Sequence, residues 1–151
     1  MFSATPPLEA MKTLLSLCAQ GYREKRRIAV VDVKRAYFYA PVRREVYMKI
    51  PPEDAVAGDE DKVGKLDFSL YGTRDAAQNW AACYSRVLEE VGFVKGKAST
   101  CNFHHPEHDI AVTCHGDDFL IVGTISKLKW VVGVLGGKFE MKTSYLGPEK
   151  E

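Results

Sequence analysis

The chain has 151 residues, of which 46% are hydrophobic, and its 21 lysines and arginines against 20 aspartates and glutamates leave a formal net charge of +1. That length suits one domain, 1–151, burying roughly 68–70% of its unfolded surface; no stretch approaches the roughly 20 apolar residues of a membrane span, and no signal-peptide pattern opens the chain. Cys18, Cys83, Cys101 and Cys114 form no Cys-x-x-Cys pair and read as reduced core thiols, so the expected location is the cytoplasm or nucleus rather than outside the cell.

The elements follow in order. Pro6 and Pro7 open a helix in which Leu8, Met11, Leu14, Leu15 and Cys18 recur at helical spacing, with Gly21 as its stop. Ile28–Val33 is a β-branched strand, a short turn holds Tyr37, and 45–50 alternates as one arm of a hairpin. An acidic, proline-bearing loop covers 51–62, and 65–68 is a short strand. Asp75 caps a helix reaching about Glu90, with Trp80, Cys83, Tyr84, Val87, Leu88 and Val91 along one side and Gly92 beyond its end. Two strands then meet at Gly116-Asp117, Ser126 starts a helix running to about Leu135, and 138–142 is the last strand. Strand, helix, paired strands, helix, strand is the order of a split βαβ, α+β fold with helices on one face of an antiparallel sheet.

The most informative segment is His115-Gly116-Asp117-Asp118 between two apolar runs. Glycine accepts the positive φ of a tight hairpin turn, which puts adjacent carboxylates on a rigid tip. Asp32 ends another strand, so three carboxylates can meet. Such a set suits divalent metal in phosphoryl transfer, where two ions about 3.5–4 Å apart activate the attacking oxygen and stabilise the leaving one. Mg²⁺ takes carboxylate oxygens together with substrate phosphates. A plain solvated turn is the competing reading, since aspartate favours turns in any case. Charge adds a cue: residues 1–50 carry ten Lys/Arg against four Asp/Glu. Arg23, Lys25, Arg26, Arg27, Lys34, Arg35, Arg43 and Arg44 form a basic end that would attract nucleic-acid phosphate; solvated surface is the competing reading for most of them and the favoured one for Arg43 and Arg44 in their loop.

These residues resemble a family. Val31-Asp32-Val33-Lys34-Arg35-Ala36-Tyr37-Phe38 with Glu45-Val46-Tyr47-Met48-Lys49 is similar to the first catalytic motif and following hairpin of copia-type retrotransposon reverse transcriptases. Ser69-Leu70-Tyr71-Gly72 with the helix bearing Trp80, the Val91-Gly92-Phe93 and Ser99-Thr100-Cys101 steps, and Lys138-Phe139-Glu140-Met141-Lys142 follow in the same order. The resemblance runs from about Phe2 to Lys142. It implies a reverse-transcriptase palm with partial fingers, in which Asp32, Asp117 and Asp118 are catalytic. Asp32, Val33, Asp117 and Asp118 would ligate two Mg²⁺ ions, with Mn²⁺ as a substitute. Val33, Lys34, Arg35, Ala36, Tyr37 and Gly72 would bind the deoxynucleoside triphosphate. The implied partners are an RNA or DNA template with primer and the rest of a retroelement polyprotein, with no membrane, and the implied location is a cytoplasmic virus-like particle. Basic fingers upstream, and a primer-gripping hairpin, thumb and ribonuclease H domain downstream, are expected outside this chain.

Departures and rivals complete the reading. His115-Gly116 stands where the family has an aromatic and a small apolar residue, and Ala77 where proline is common. Gly-Asp-Asp also occurs in RNA-dependent RNA polymerases, but these place an aspartate five positions after the first catalytic one; here that residue is Tyr37, whose ring favours deoxynucleotides. Arg74, Gln78 and Trp80 read as helix surface or core, and Lys142 as a solvated strand lysine or a general acid. Cys101, His104, His105, His108, Cys114 and His115 could instead make a zinc-binding module, although their spacing fits no standard finger. A remnant without catalysis is a further alternative.

Overall fold

The computed structural model describes residues 6–20, 25–59 and 61–147. Helix α1 spans Leu8–Gln20 and strand β1 spans Arg26–Val33; a 3-10 turn at Ala36–Tyr39 follows. A ribbon of β2 (Tyr47–Lys49) and β3 (Val63–Lys65) precedes helix α2 (Ala76–Glu90). Then come β4 (Val94–Lys95), β5 (Asn102–His105), β6 (Ile110–His115), β7 (Asp118–Thr124), helix α3 (Ile125–Gly136) and β8 (Met141–Leu146).

Six strands form one sheet in the order β4-β5-β6-β7-β1-β8, and every pairing in it is antiparallel. Because β1 and β6 both run against β7, they are parallel to each other with β7 between them. By the same logic β7 and β8 are parallel with β1 between them. The chain therefore interleaves two split units, β1-α2-β6 and β7-α3-β8, and the expected α+β architecture is present. Each crossover is a helix because parallel strands cannot be joined by a tight turn.

Alternation along β1 sends Ala29, Val31 and Val33 into the core, where Cys114 of β6 and Phe119 and Ile121 of β7 join them. Helices α2 and α3 cover that face with Trp80, Tyr84, Leu88, Leu128, Val131 and Leu135. Helix α1 breaks the expectation of helices on one face. Met11 shares a cavity of about 230 Å³ with Val30, Thr113, His115, Asp118 and Leu120 on the other side of the sheet. None of its residues is fully buried, and Leu8, Leu15 and Leu17 are exposed. The helical spacing holds, but the stripe that touches the sheet is the narrower Ala10, Met11, Leu14 and Cys18. Gly21 lies outside the described residues.

Other boundaries differ for local reasons. The strand expected at 65–68 lies at Val63–Lys65, and Phe68 makes only an isolated bridge to Pro41. The strand expected at 138–142 begins at Met141: the Lys138 and Phe139 N–H groups donate to the Leu135 carbonyl and close α3 instead, which buries Phe139 against Trp80. Asp75 stands at the N-cap of α2, but its carboxylate accepts from Arg44 at 3.1 Å rather than from the helix backbone. Strands β4 and β5, which extend the sheet, have no counterpart among the sequence-based expectations.

Candidate active site

Pairing of Cys114 with Phe119 and His115 with Asp118 leaves Gly116-Asp117 as a two-residue turn. Gly116 has φ +60° while Asp117 does not have a positive φ, the pattern of a type II′ turn with glycine first. A Cβ at Gly116 would meet nothing within 4 Å, so the demand for glycine is conformational rather than steric. Trp80 of α2 donates its indole N–H to the Gly116 carbonyl at 2.9 Å, which pins the turn to the core.

The same turn is stitched to β1. Asp32 stands opposite Asp118 in the β1–β7 register, and the Val33 N–H donates to the Asp117 carbonyl at 3.0 Å. Directly opposed residues share a face, with Cβ atoms about 4.5–5.5 Å apart. On the other flank Lys142 of β8 is paired with Asp32, which sets an exposed ammonium beside the acids. Burial pushes the Asp117 carboxyl above the ordinary carboxylate value; a hydrogen bond from the Tyr71 hydroxyl acts the other way, and the charges of Asp118 and Asp32 raise it again. The strand ends thus gather like charge at one point. That donor chemistry, hard carboxylate oxygens only, fits Mg²⁺ or Mn²⁺. Among the described residues the side chains form no group of three or more His, Cys, Asp or Glu already converged on one point, so the acids are neighbours rather than a closed cage.

The residues after Asp32 form the second wall. The Lys34 N–H donates to the Glu140 carbonyl at 2.9 Å, and its ammonium pairs with the Glu140 carboxylate, holding that acid below its usual range with help from Arg35. Arg35 sits in the left-handed region (φ 53°, ψ 39°), a conformation that costs a non-glycine residue about 1–3 kcal/mol. Ala36 is fully buried. Tyr37 stacks on Tyr71 with ring centroids 4.4 Å apart, and burial together with the Asp117 charge raises its phenol pKa. Gly72, at φ +90° and with open space where a Cβ would stand, turns the chain just after Tyr71. Buried Ser69 anchors that segment by donating its N–H to the Ala40 carbonyl at 2.7 Å and accepting from Asn79 Nδ2 at 3.0 Å.

The fold therefore brings Asp32, Val33, Asp117 and Asp118 together at one strand end, with Tyr37 and Gly72 reached through Tyr71. Two anchors of this site are not evident from sequence. Trp80 reads there as core alone, and Tyr71, whose hydroxyl donates to Asp117 Oδ2 at 3.1 Å, is overshadowed by its neighbour Gly72. An aromatic residue beside a turn glycine is the available signal. The basic end is less open than its composition suggests: Arg26 pairs with Asp109, Lys34 with Glu140 and Arg44 with Asp75. Arg23 lies outside the described residues. Arg74 is exposed, and Gln78 is half-buried.

The Cys and His residues do not converge. Buried Cys101 and Cys114 lie together in the core, whereas His104 faces outward to Asp109 and His115 stands exposed opposite Asp118. His105 alternates inward; its Nε2 donates to the Val91 carbonyl at 3.0 Å, and its Nδ1 accepts from the His108 N–H at 3.2 Å. Both ring nitrogens are thus committed to structure, and His108 packs on the same ring.

The topology and the acidic strand end define an α+β domain of interleaved split βαβ units whose polar chemistry is concentrated at a β1/β6–β7 junction. A family model described as reverse transcriptase (RNA-dependent DNA polymerase) matches residues 1–151, and the chain belongs to that family. The relatives make it the Ty1/copia type. It is 31% identical over 158 residues to the retrovirus-related Pol polyprotein from transposon TNT 1-94 of Nicotiana tabacum, a match covering 100% of this chain and 11% of that protein. It is 26% identical over 144 residues to the transposon Ty1-BL Gag-Pol polyprotein of Saccharomyces cerevisiae, covering 94% of this chain and 8% of that protein. The chain thus spans roughly a tenth of the length of these polyproteins, 11% and 8% respectively.

Proposed function

We propose that this chain is the palm of an RNA-directed DNA polymerase in a copia-type retroelement polyprotein, with the β2–β3 ribbon belonging to its fingers. In this reading 1–151 is one incomplete polymerase domain that works on an RNA or DNA template with its primer, within a cytoplasmic virus-like particle or the nucleus. The observation that carries it is the register of Asp32 opposite Asp118, with the Asp117 turn hydrogen-bonded to Val33. Two strand ends far apart in sequence are thereby locked together at their acids.

The catalytic step is attack of a primer 3′-hydroxyl on the α-phosphate of a deoxynucleoside triphosphate, with pyrophosphate leaving. Asp32, Asp117 and Asp118, with Val33 alongside, would hold two Mg²⁺ or Mn²⁺ ions, which when bound supply activation of the hydroxyl and neutralisation of the phosphates. The chain's own contribution is positioning and charge. Lys34 and Arg35 would face the triphosphate once Glu140 releases Lys34, Ala36 and Gly72 would leave room for the nucleotide, and the Tyr37 ring would lie under the sugar where a 2′-hydroxyl clashes. Lys142, paired with Asp32 in the sheet, would deliver a proton to the leaving pyrophosphate.

Primer extension on an RNA template tests this. Asp117→Asn keeps the shape of the turn and removes a charge, so extension falls by at least about 100-fold. Calorimetric Mg²⁺ binding falls in parallel. Equal Mg²⁺ affinity in wild type and Asp117→Asn, or an unchanged extension rate, rejects the site.

A further inference from the structure

Tyr71 is an exposed aromatic held in place by groups outside the hydrophobic core. Its backbone is fixed: the Thr73 N–H and hydroxyl both reach the Leu70 carbonyl, at 3.0 and 2.8 Å, and Ser69 is anchored on both sides. Yet the residue remains 45% exposed, so burial alone does not explain the order of its side chain. Three side-chain contacts do. The hydroxyl donates to Asp117 Oδ2 at 3.1 Å, while the ring lies on Tyr37 at 4.4 Å with a 33° tilt and meets the edge of Phe38 at 5.8 Å.

We propose that Tyr71 is a positioning residue that couples the sugar-facing ring of Tyr37 to the Asp117 carboxylate. This rests on the polymerase reading above and adds to it a link between two parts that the reading treats separately. A cation held through Asp117 Oδ2 would compete for the oxygen that the phenol binds, and the hydroxyl would shift with it. A ring pivoting from Leu70-Tyr71-Gly72 carries its stacked partner with it, because the Tyr37 face has no other aromatic contact among the described residues. Nucleotide discrimination thereby becomes tighter when the acid site is loaded. Tyr37, Phe38 and Tyr71 together make an aromatic shelf beside the acids, a surface that suits a deoxyribose and its base rather than a bare phosphate.

The test compares wild type with Tyr71→Phe, which keeps the ring and loses the hydroxyl, and Tyr71→Leu, which loses both. Calorimetric binding of dGTP and of GTP with Mg²⁺ reads discrimination, since the two differ only at the 2′ position. Tyr71→Leu lowers the dGTP preference by a factor of about 2 to 12, the value of one aromatic pair. Tyr71→Phe lowers it by less, about twofold, because the stack survives and only the link to Asp117 is lost. The second readout is the Tyr37 ring resonance during Mg²⁺ titration: it moves further in wild type than in Tyr71→Phe, where only the direct field of Asp117 on Tyr37 remains, although Mg²⁺ still binds. An unchanged preference in folded Tyr71→Leu overturns the proposal, as does a Tyr37 response in Tyr71→Phe equal to wild type. Should Tyr71→Leu fail to fold, the Tyr71→Phe titration decides alone. A wild-type chain that binds no Mg²⁺ removes the polymerase reading itself, a failure visible before any variant is made.

Discussion

The two faces of the six-stranded sheet are built in opposite ways. Under α2 and α3 the face is dry and aromatic: Trp80 meets Phe139 at 5.0 Å and Tyr84 at 5.4 Å, and Tyr84 meets Phe119 at 5.3 Å, all near edge-to-face. Such pairs add about 0.5–1.5 kcal/mol each beyond area burial. On the opposite face α1 buries no residue fully, and the strand ends carry Asp32, Asp118 and Lys142. The contrast shows where this domain keeps its stability. One face holds the strands rigid, so the other can accept crowded like charge that a marginal core could not carry. Trp80 joins the two, packed among aromatics by its ring and bonded to the acidic turn by its N–H.

Breaking that joint has the largest expected effect. Trp80→Ala removes a side chain that is 1% exposed and costs about 3–5 kcal/mol in urea unfolding. Trp80→His and similar polar changes confound cavity with charge, so Trp80→Phe is the sharper probe: it preserves most of the packing and loses the bond to Gly116, at about 0.5–1.5 kcal/mol. Amide exchange at Asp117 and Asp118 speeds up in Trp80→Phe. If exchange there is unchanged, the turn is held by the strands alone, and the two faces are less coupled than the geometry indicates.

On the acidic face the sign reverses. The Asp117 carboxyl has its pKa raised on folding, chiefly by burial and then by its charged neighbours, so the native state binds the proton more tightly than the unfolded chain does. Stability from this group therefore falls as pH rises through the window between the ordinary value of 3.8 and the raised folded value, and the penalty is fully present at pH 7. Asp117→Asn relieves it, raising stability at neutral pH by up to about 1 kcal/mol, with the gain shrinking as pH is lowered through that window. Asp75 and Glu140 run oppositely: the Arg44 and Lys34 partners hold their carboxyls low, and their contribution is lost as pH falls through those lowered values. Thermal melts of wild type and Asp117→Asn from pH 7 to pH 4 check the Asp117 sign. A destabilised Asp117→Asn at pH 7 contradicts the assignment of crowded charge.

Much of this contrast is legible in the sequence. β-branched runs ending in Asp32 and flanking Asp117-Asp118 announce strands and a turn, because period and glycine chemistry are local properties. The meeting of Asp32 with Asp118 follows from topology once the order of elements is read. What stays hidden depends on distant partners. Strands β4 and β5 are two and four residues long, too short to show alternation, and they form because β6 offers an edge. Adjacent His104 and His105 look like a ligand pair, yet strand geometry sends them to opposite faces. The bond from Tyr71 to Asp117 spans 46 positions and leaves no periodic trace. Likewise, helical spacing in α1 reports a helix correctly but not how little of it the sheet covers.

That last point gives the smallest expected effect and the most direct check on the contrast. Leu88 of α2 and Leu15 of α1 are both leucines within helices, but Leu88 is fully buried and Leu15 is 45% exposed. Leu88→Ala loses both the transfer free energy and the packing around the vacated space, about 2–5 kcal/mol. Leu15→Ala gives up contacts already half made with water, and alanine is the better helix former, so the two terms nearly cancel and unfolding shifts by no more than about 0.5 kcal/mol. Parallel urea titrations of the two variants measure the difference directly. A Leu15→Ala cost approaching that of Leu88→Ala means that α1 seals a second core over Val30 and Leu120, and the acid-bearing face is then as much a part of the domain's stability as the aromatic one.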